Sequence, residues 1–150
     1  MSAKLKYLAN QARLRQEKYK ARWVKDPLIE VQFDDLETSE HSKCKPLSVA
    51  LAVDPVTRKI LGFQVSRMPA RGLLARTSIA KYGYRKDERS AGWHALFKSL
   101  KPLVHPGALF YSDQNPHYPR HLKSHFENAA HCAYPGGRGC IVGQGELKKL

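Results

Sequence analysis

The sequence lacks the features of membrane and secreted proteins. Its 150 residues contain no run of 18 apolar residues, and the opening stretch MSAKLKYLANQARLRQEKYK has no apolar signal-peptide core. A transmembrane or exported chain would need one or the other. We therefore expect a soluble, cytoplasmic protein without a membrane partner.

Cysteine is scarce and follows no pairing pattern. Cys44, Cys132 and Cys140 form an odd set with no CxxC pair, which argues against a disulfide framework and against a zinc ribbon. His41 and Cys44 have HxxC spacing, and His131 with Cys132 would complete four zinc ligands, but two adjacent ligands fit a tetrahedral site poorly. We interpret the cysteines as reduced thiols.

Acidic residues are also few. Lys and Arg number 26 against 13 Asp and Glu, so the formal net charge is +13. A field of this sign attracts polyanions. Because the chain is long enough for one hydrophobic core but not for two, we expect one domain whose first candidate partner is nucleic acid.

The first 26 residues predict a basic helix. No Pro or Gly occurs between Ala3 and Val24, and Asp26-Pro27 ends the helical pattern. Eight basic residues and one acid, Glu17, lie between Lys4 and Lys25. A narrow apolar stripe is formed by Leu5, Leu8, Ala12, Tyr19 and Trp23. Such a helix lies along a phosphate backbone, packs its stripe on the domain, or connects to a domain outside this chain.

Residues 27–150 predict a mixed α/β domain. Strands are expected at Leu28–Phe33, Leu47–Val53, Lys59–Val65, Ala108–Tyr111 and Ala129–Tyr134. Helices are expected at Leu73–Tyr82, Asp87–Leu100 and Pro119–Phe126, with the first turn of a truncated helix near Glu146. Three antiparallel strands followed by helix-crossed strands is the order of a ribonuclease-H-like mixed sheet.

Three acids have the placement of a metal-dependent phosphoryl-transfer site. Asp34 follows the first predicted strand and Asp113 the fourth, and those two strands are neighbours in this fold. Glu146 comes after a Gly-rich loop, where a helix can carry it back over the sheet. Carboxylates are the ligands that Mg²⁺ and Mn²⁺ prefer, and two such ions stabilise both the attacking and the leaving oxygen. Asp35 competes with Asp34, and strand periodicity does not choose between them.

Several segments around these acids resemble the catalytic region of bacterial insertion-sequence transposases of the DDE type. The resemblance runs from about Ile29 to Leu150 and rests on VQFDDLETSEHSKCKPLSVALAVDPVTRKILGFQVSRMPARG, LFKSLKP, YSDQNPHYPRHLKSHF and GCIVGQGELKK. It matches Asp34 to the family's first acid, Asp113 to the second and Glu146 to the third.

The resemblance implies a specific activity and set of partners. A transposase of this kind uses two Mg²⁺ or Mn²⁺ ions to hydrolyse DNA at insertion-sequence ends and to transfer the strand into target DNA. The resemblance also implies that the active protein is a homo-oligomer and that it is located at the bacterial nucleoid. Relatives are expected to begin with a zinc-binding and helix-turn-helix region and to continue beyond the end of this chain. The sequence therefore predicts a truncated catalytic domain.

Eight side chains are predicted to contact DNA. Six of them make up the densest basic stretch of the domain, and two follow Asp113 closely. They are Arg67, Arg71, Arg76, Lys81, Arg85, Lys86, His117 and Arg120.

Two other functions fit the same sequence. One is a catalytically inactive DNA-binding transposase remnant, which keeps the basic surface but lacks a usable third acid or end-recognition region. The other is a structure-selective nuclease of the same fold.

Overall fold

The secondary structure follows the predicted order of strands and helices closely. A computed structural model describes residues 2–135 of the chain, so Cys140 and Glu146 lie outside the described residues. The strands are β1 (Leu28–Ser39), β2 (Pro46–Val53), β3 (Ile60–Arg67), β4 (Val104–Asp113) and β5 (Ala130–Tyr134). The helices are α1 (Ala3–Lys25), α2 (Leu74–Tyr82), α3 (Arg89–Leu100) and α4 (Tyr118–Lys123).

The five strands form one open mixed sheet in the order β3-β2-β1-β4-β5. Strands β1, β2 and β3 pair antiparallel, whereas β4 pairs parallel to β1 and β5 pairs parallel to β4. The parallel pairs need crossovers, which α3 and α4 provide. The predicted α/β class, with three antiparallel strands followed by helix-crossed strands, is confirmed at this level.

A tight turn sets the register between β2 and β3. The Asp54 carboxylate accepts hydrogen bonds from the Val56 amide (3.0 Å) and from the Thr57 hydroxyl, and Arg58 adopts a φ of 58°. An aspartate that bonds to the backbone two residues later is a common way to close a turn. The turn thus depends on Asp54, which is 3% exposed.

The core lies between the sheet and the helices α3 and α4. Phe33, on β1, is at its centre, with ring centroids 5.6 Å from Trp93, 5.3 Å from Phe97 and 5.1 Å from Tyr118. These edge-to-face contacts join the first strand to both helices. The long-range packing of β1 therefore fixes the positions of α3 and α4 relative to the acids that follow Phe33.

Strand β1 differs from its prediction in two ways. Val31 and Phe33 are buried as the alternation indicates, but Ile29 is 69% exposed at the point where the pairing with β4 shifts register, between Leu28 and Glu30. The strand also continues to Ser39, so the two acids lie within it and not after its end.

Helix α1 is confirmed at its predicted position but packs only near its C-terminal end. Trp23 is 5% exposed and stacks against Tyr19, whose ring also lies under the Lys59 ammonium at 4.4 Å. Leu5 and Leu8, which belong to the predicted apolar stripe, remain at least half exposed. Most of the helix therefore presents its basic side chains to solvent.

Within residues 2–135, none of the helices combines the length and the hydrophobicity that a bilayer crossing requires.

Candidate functional site

The acids Asp34 and Asp113 meet where β1 and β4 separate. The parallel register pairs Gln32 with Tyr111, and its continuation along both strands brings Asp34 level with Asp113. Pairing between the two strands stops after Gln32, and beyond that point β1 continues along β2 and β4 continues along β5. The two carboxylates therefore line one cleft at the carboxyl ends of adjacent parallel strands, where open α/β sheets commonly bind their ligands.

A buried tyrosine connects α4 to this cleft. The Tyr118 ring is 1% exposed, and its hydroxyl donates to Asp34 Oδ1 at 3.5 Å. Burial raises the pKa of Tyr118 far above its ordinary value, and the carboxylates of Asp34 and Asp113 raise it further. The hydroxyl consequently stays protonated and is held as a donor toward the acids.

Backbone and neighbouring side chains orient Asp113. Its Oδ1 accepts the Asn115 amide at 3.1 Å, which forms a turn directly after β4. The preceding Ser112 is 6% exposed, and its Oγ lies 2.8 Å from His131 Nε2 on β5. The end of β4 is thus fixed both by a turn and by a cross-strand contact.

Asp35 has a different environment from Asp34. Its Oδ1 accepts the Ser48 hydroxyl at 2.7 Å, on the side of the sheet that faces the helices. Burial raises the pKa of Asp35, and the Ser48 hydrogen bond partly offsets this effect. Asp34 shares the cleft with Asp113 and Asp35 does not, so the geometry groups the same two acids as the family resemblance.

Within residues 2–135, no group of three or more His, Cys, Asp or Glu side chains is arranged to hold a metal ion. The predicted third acid, Glu146, falls outside the described residues, so the described site consists of the pair Asp34 and Asp113.

The predicted DNA-contacting residues fall into four groups. Arg67 is held by Glu88 through two hydrogen bonds of 3.1 and 2.8 Å, and its pKa is raised by that carboxylate. The Arg85 side chain is 10% exposed and lies 3.7 Å from Glu40, so it packs within the fold. Arg71 lies 4.0 Å from Glu37 at the surface. The remaining members are exposed and have no ion pair within the described part of the chain: Arg76, Lys81, Lys86, His117 and Arg120.

Sequence patterns did not single out a histidine cluster on the helix side of the sheet. His94 on α3 and His121 on α4 have ring centroids 5.1 Å apart, and His94 Nδ1 lies 3.0 Å from His125 Nε2. The signal available in the sequence was the recurrence of His117, His121 and His125 at four-residue intervals. Four-residue spacing places side chains on one helical face.

The chain was also compared with known proteins. Family models, curated proteins and solved structures alike gave no match to it.

Proposed function

We propose that this chain is the catalytic domain of a DDE-type insertion-sequence transposase, with a ribonuclease-H-like fold. The observation that carries the proposal is the level placement of Asp34 and Asp113 in one cleft between adjacent parallel strands. The strand order β3-β2-β1-β4-β5, with three antiparallel and two parallel strands, supports the fold assignment. The net charge of +13 supports a nucleic-acid substrate.

The donor set of the cleft fits a hard divalent cation. Asp34 Oδ1 accepts the Asp35 amide at 2.7 Å, and Asp113 Oδ1 accepts the Asn115 amide at 3.1 Å. The second oxygen of each carboxylate accepts no hydrogen bond from the described part of the chain. Each acid is therefore oriented through one oxygen and retains the other for Mg²⁺ or Mn²⁺.

In the proposed reaction a water, and then a 3′-hydroxyl, attacks a DNA phosphodiester in line. Asp34 and Asp113, with Glu146 as the proposed third acid, would hold two Mg²⁺ or Mn²⁺ ions. When bound, such ions stabilise the charge that develops on the attacking and leaving oxygens. Tyr118 keeps Asp34 oriented through its hydroxyl, and the turn at Asn115 keeps Asp113 oriented through its amide. Holding these groups in place before substrate arrives lowers the cost of reaching the transition state.

Metal-dependent nicking and strand transfer of labelled DNA test this function. Asp34→Asn and Asp113→Asn should each reduce the rate with Mg²⁺ or Mn²⁺ by at least about a hundredfold. Glu146→Gln tests the third acid in the same assay. Asp35→Asn is the comparison variant, since it removes a neighbouring carboxylate that lies outside the cleft, and it should reduce the rate far less than Asp34→Asn does, by less than about tenfold.

The alternative function predicts a different outcome of the same assay. If the native chain binds DNA with a steep salt dependence but neither nicks nor joins it with either ion, the chain is a DNA-binding remnant and the catalytic proposal is wrong. Equal loss of activity in Asp35→Asn and Asp34→Asn would contradict the assignment of the first acid.

A further inference from the structure

A polar groove lies on the helix side of the sheet, between the first turn of α3 and helix α4. The basic side chains that line it are Arg89, His94, His117, Arg120 and His121. Asp35 lines the same groove from β1, directly next to Asp34. The groove is therefore adjacent to the acid pair but lies on the opposite face of the sheet.

The fixed charges of this groove nearly cancel. Arg89 and Asp87 both line the groove, and Arg89 Nε donates a hydrogen bond to Asp87 Oδ1 at 2.9 Å. Their opposite charges therefore compensate each other. The remaining fixed charges are Arg120 and Asp35, one of each sign. The sign of the groove consequently depends on the protonation of its histidines.

Two histidines at or beside the groove, His121 and His125, have lowered pKa values in the unliganded protein. Burial lowers the pKa of His121 and of His125, and the neighbouring His94 lowers both further. His121 Nδ1 is buried without a hydrogen-bond partner among the described residues. Lys98 and Lys101, near His125, act in the same direction. A nearby anion would reverse these effects, since opposite charge favours the protonated imidazole.

We propose that this groove binds a backbone phosphate of the DNA next to the acid pair, and that binding is accompanied by proton uptake on its histidines. The proposal rests on the proposed function for the identity of the ligand. Arg120 provides the permanent charge, and His94, His117 and His121 provide the charge that appears with the phosphate. A strand held here continues past Asp35 toward the cleft of Asp34 and Asp113.

Binding measured without any divalent ion separates this site from catalysis. Fluorescence anisotropy of a labelled oligonucleotide in EDTA gives its affinity between pH 7.5 and 5.5. A rise of one unit in the pKa of a single histidine corresponds to about tenfold in affinity. We therefore expect the native affinity to increase by about tenfold or more as the pH falls, and that of His94→Gln/His117→Gln to increase by a clearly smaller factor, because only His121 of the three groove histidines remains.

Two further variants make the test specific. His41→Gln/His105→Gln removes two exposed histidines away from the groove and should retain the native pH dependence. Arg120→Gln should lower the slope of log affinity against log salt by about 0.9, the value for one duplex phosphate contact. Because the substituted side chains are exposed, circular dichroism should show native folding in each variant.

The outcomes distinguish this inference from the proposed function. An equal pH dependence in the groove variant and in the control variant would overturn the groove, even where metal-dependent cleavage is intact. A groove-specific pH dependence without any cleavage would support the phosphate site and count against catalysis. If inorganic phosphate reproduces the histidine-dependent profile and the oligonucleotide does not, the groove is a small-anion site and the DNA assignment is wrong.

Discussion

Tyr118 has both a packing role and a polar role. Its ring lies 4.9 Å from that of Trp93 and 5.1 Å from that of Phe33, and its hydroxyl points at Asp34. Tyr118→Ala removes the ring and should lower the free energy of unfolding by about 3–5 kcal/mol. Tyr118→Phe keeps the ring and should lower it by no more than about 1.5 kcal/mol. Urea unfolding followed by tryptophan fluorescence measures both, and equal losses would show that the ring packing matters less than the hydroxyl.

The raised pKa of Asp35 makes a prediction about stability and pH. A carboxyl whose pKa is higher in the folded state disfavours the ionised form there, so its stabilising contribution is complete at low pH and is lost as the pH rises through the folded pKa. Asp35→Asn cannot ionise and keeps an oxygen for the Ser48 hydroxyl. Its melting temperature, relative to the native protein, should rise as the pH is raised through the range above the ordinary aspartate pKa of about 4. A difference that stays constant over that range would contradict the cause assigned to the shift.

The choice between Asp34 and Asp35 shows what sequence periodicity can and cannot decide. Alternation along the strand predicts that the two side chains point to opposite faces of the sheet. This prediction holds only if the strand continues past Phe33. It continues to Ser39 because β2 pairs with it along that whole stretch. Since that pairing is a long-range property, the local pattern alone left the choice open.

At the scale of elements, Gly92 allows α3 to approach β3 closely. A methyl group at this position would lie 2.0 Å from Ser66 Oγ and 3.3 Å from Ser66 Cβ. Gly92→Ala should therefore destabilise the protein by about 1–3 kcal/mol despite the better helix propensity of alanine. Ser66→Ala removes the clashing oxygen, so the loss should shrink in the double variant. Gly107→Ala, whose methyl group meets no atom nearer than 3.6 Å, is the control.

A double-mutant cycle on chemical denaturation measures this contact. A coupling energy of about 1 kcal/mol or more between Gly92→Ala and Ser66→Ala would confirm the close approach. Additive effects would show that the helix shifts to relieve the contact without involving Ser66.

The elements themselves were largely predictable, and their side-chain partners were not. Local patterns predicted the helix near residues 87–100 and the strand before Asp113, because turn residues and apolar spacing mark such segments. They did not reveal that Glu88 holds Arg67 or that Arg85 packs under the loop after β1. Those ion pairs join residues from different elements, so they depend on the completed fold. The density of basic residues along the chain therefore does not show which of them already have a carboxylate partner within the fold.

At the scale of the whole molecule, the charge of +13 predicts strong and salt-sensitive DNA binding. Six phosphate contacts would reduce the affinity by about a thousandfold between 50 and 200 mM salt. Replacing four exposed basic residues of α1 (Lys4→Gln, Lys6→Gln, Arg13→Gln and Arg15→Gln) should reduce the salt slope if the helix lies along the backbone. Anisotropy over a salt series measures the slope. An unchanged slope would show that α1 is a solvated helix that packs on the domain near its C-terminal end, through Tyr19 and Trp23.

The parallel pairing of β1 with β4 determines when, during folding, Asp34 and Asp113 come together relative to the chain's attraction to polyanions. Two strands and two helices separate the paired strands along the chain, and contacts between distant segments form slowly because the intervening chain must close first. Attraction to a polyanion needs only charge and is present from the start of folding. Under the proposed function, a newly made or partly unfolded chain would associate with nucleic acid before Asp34 and Asp113 face each other, and the catalytic centre would form only once folding is complete.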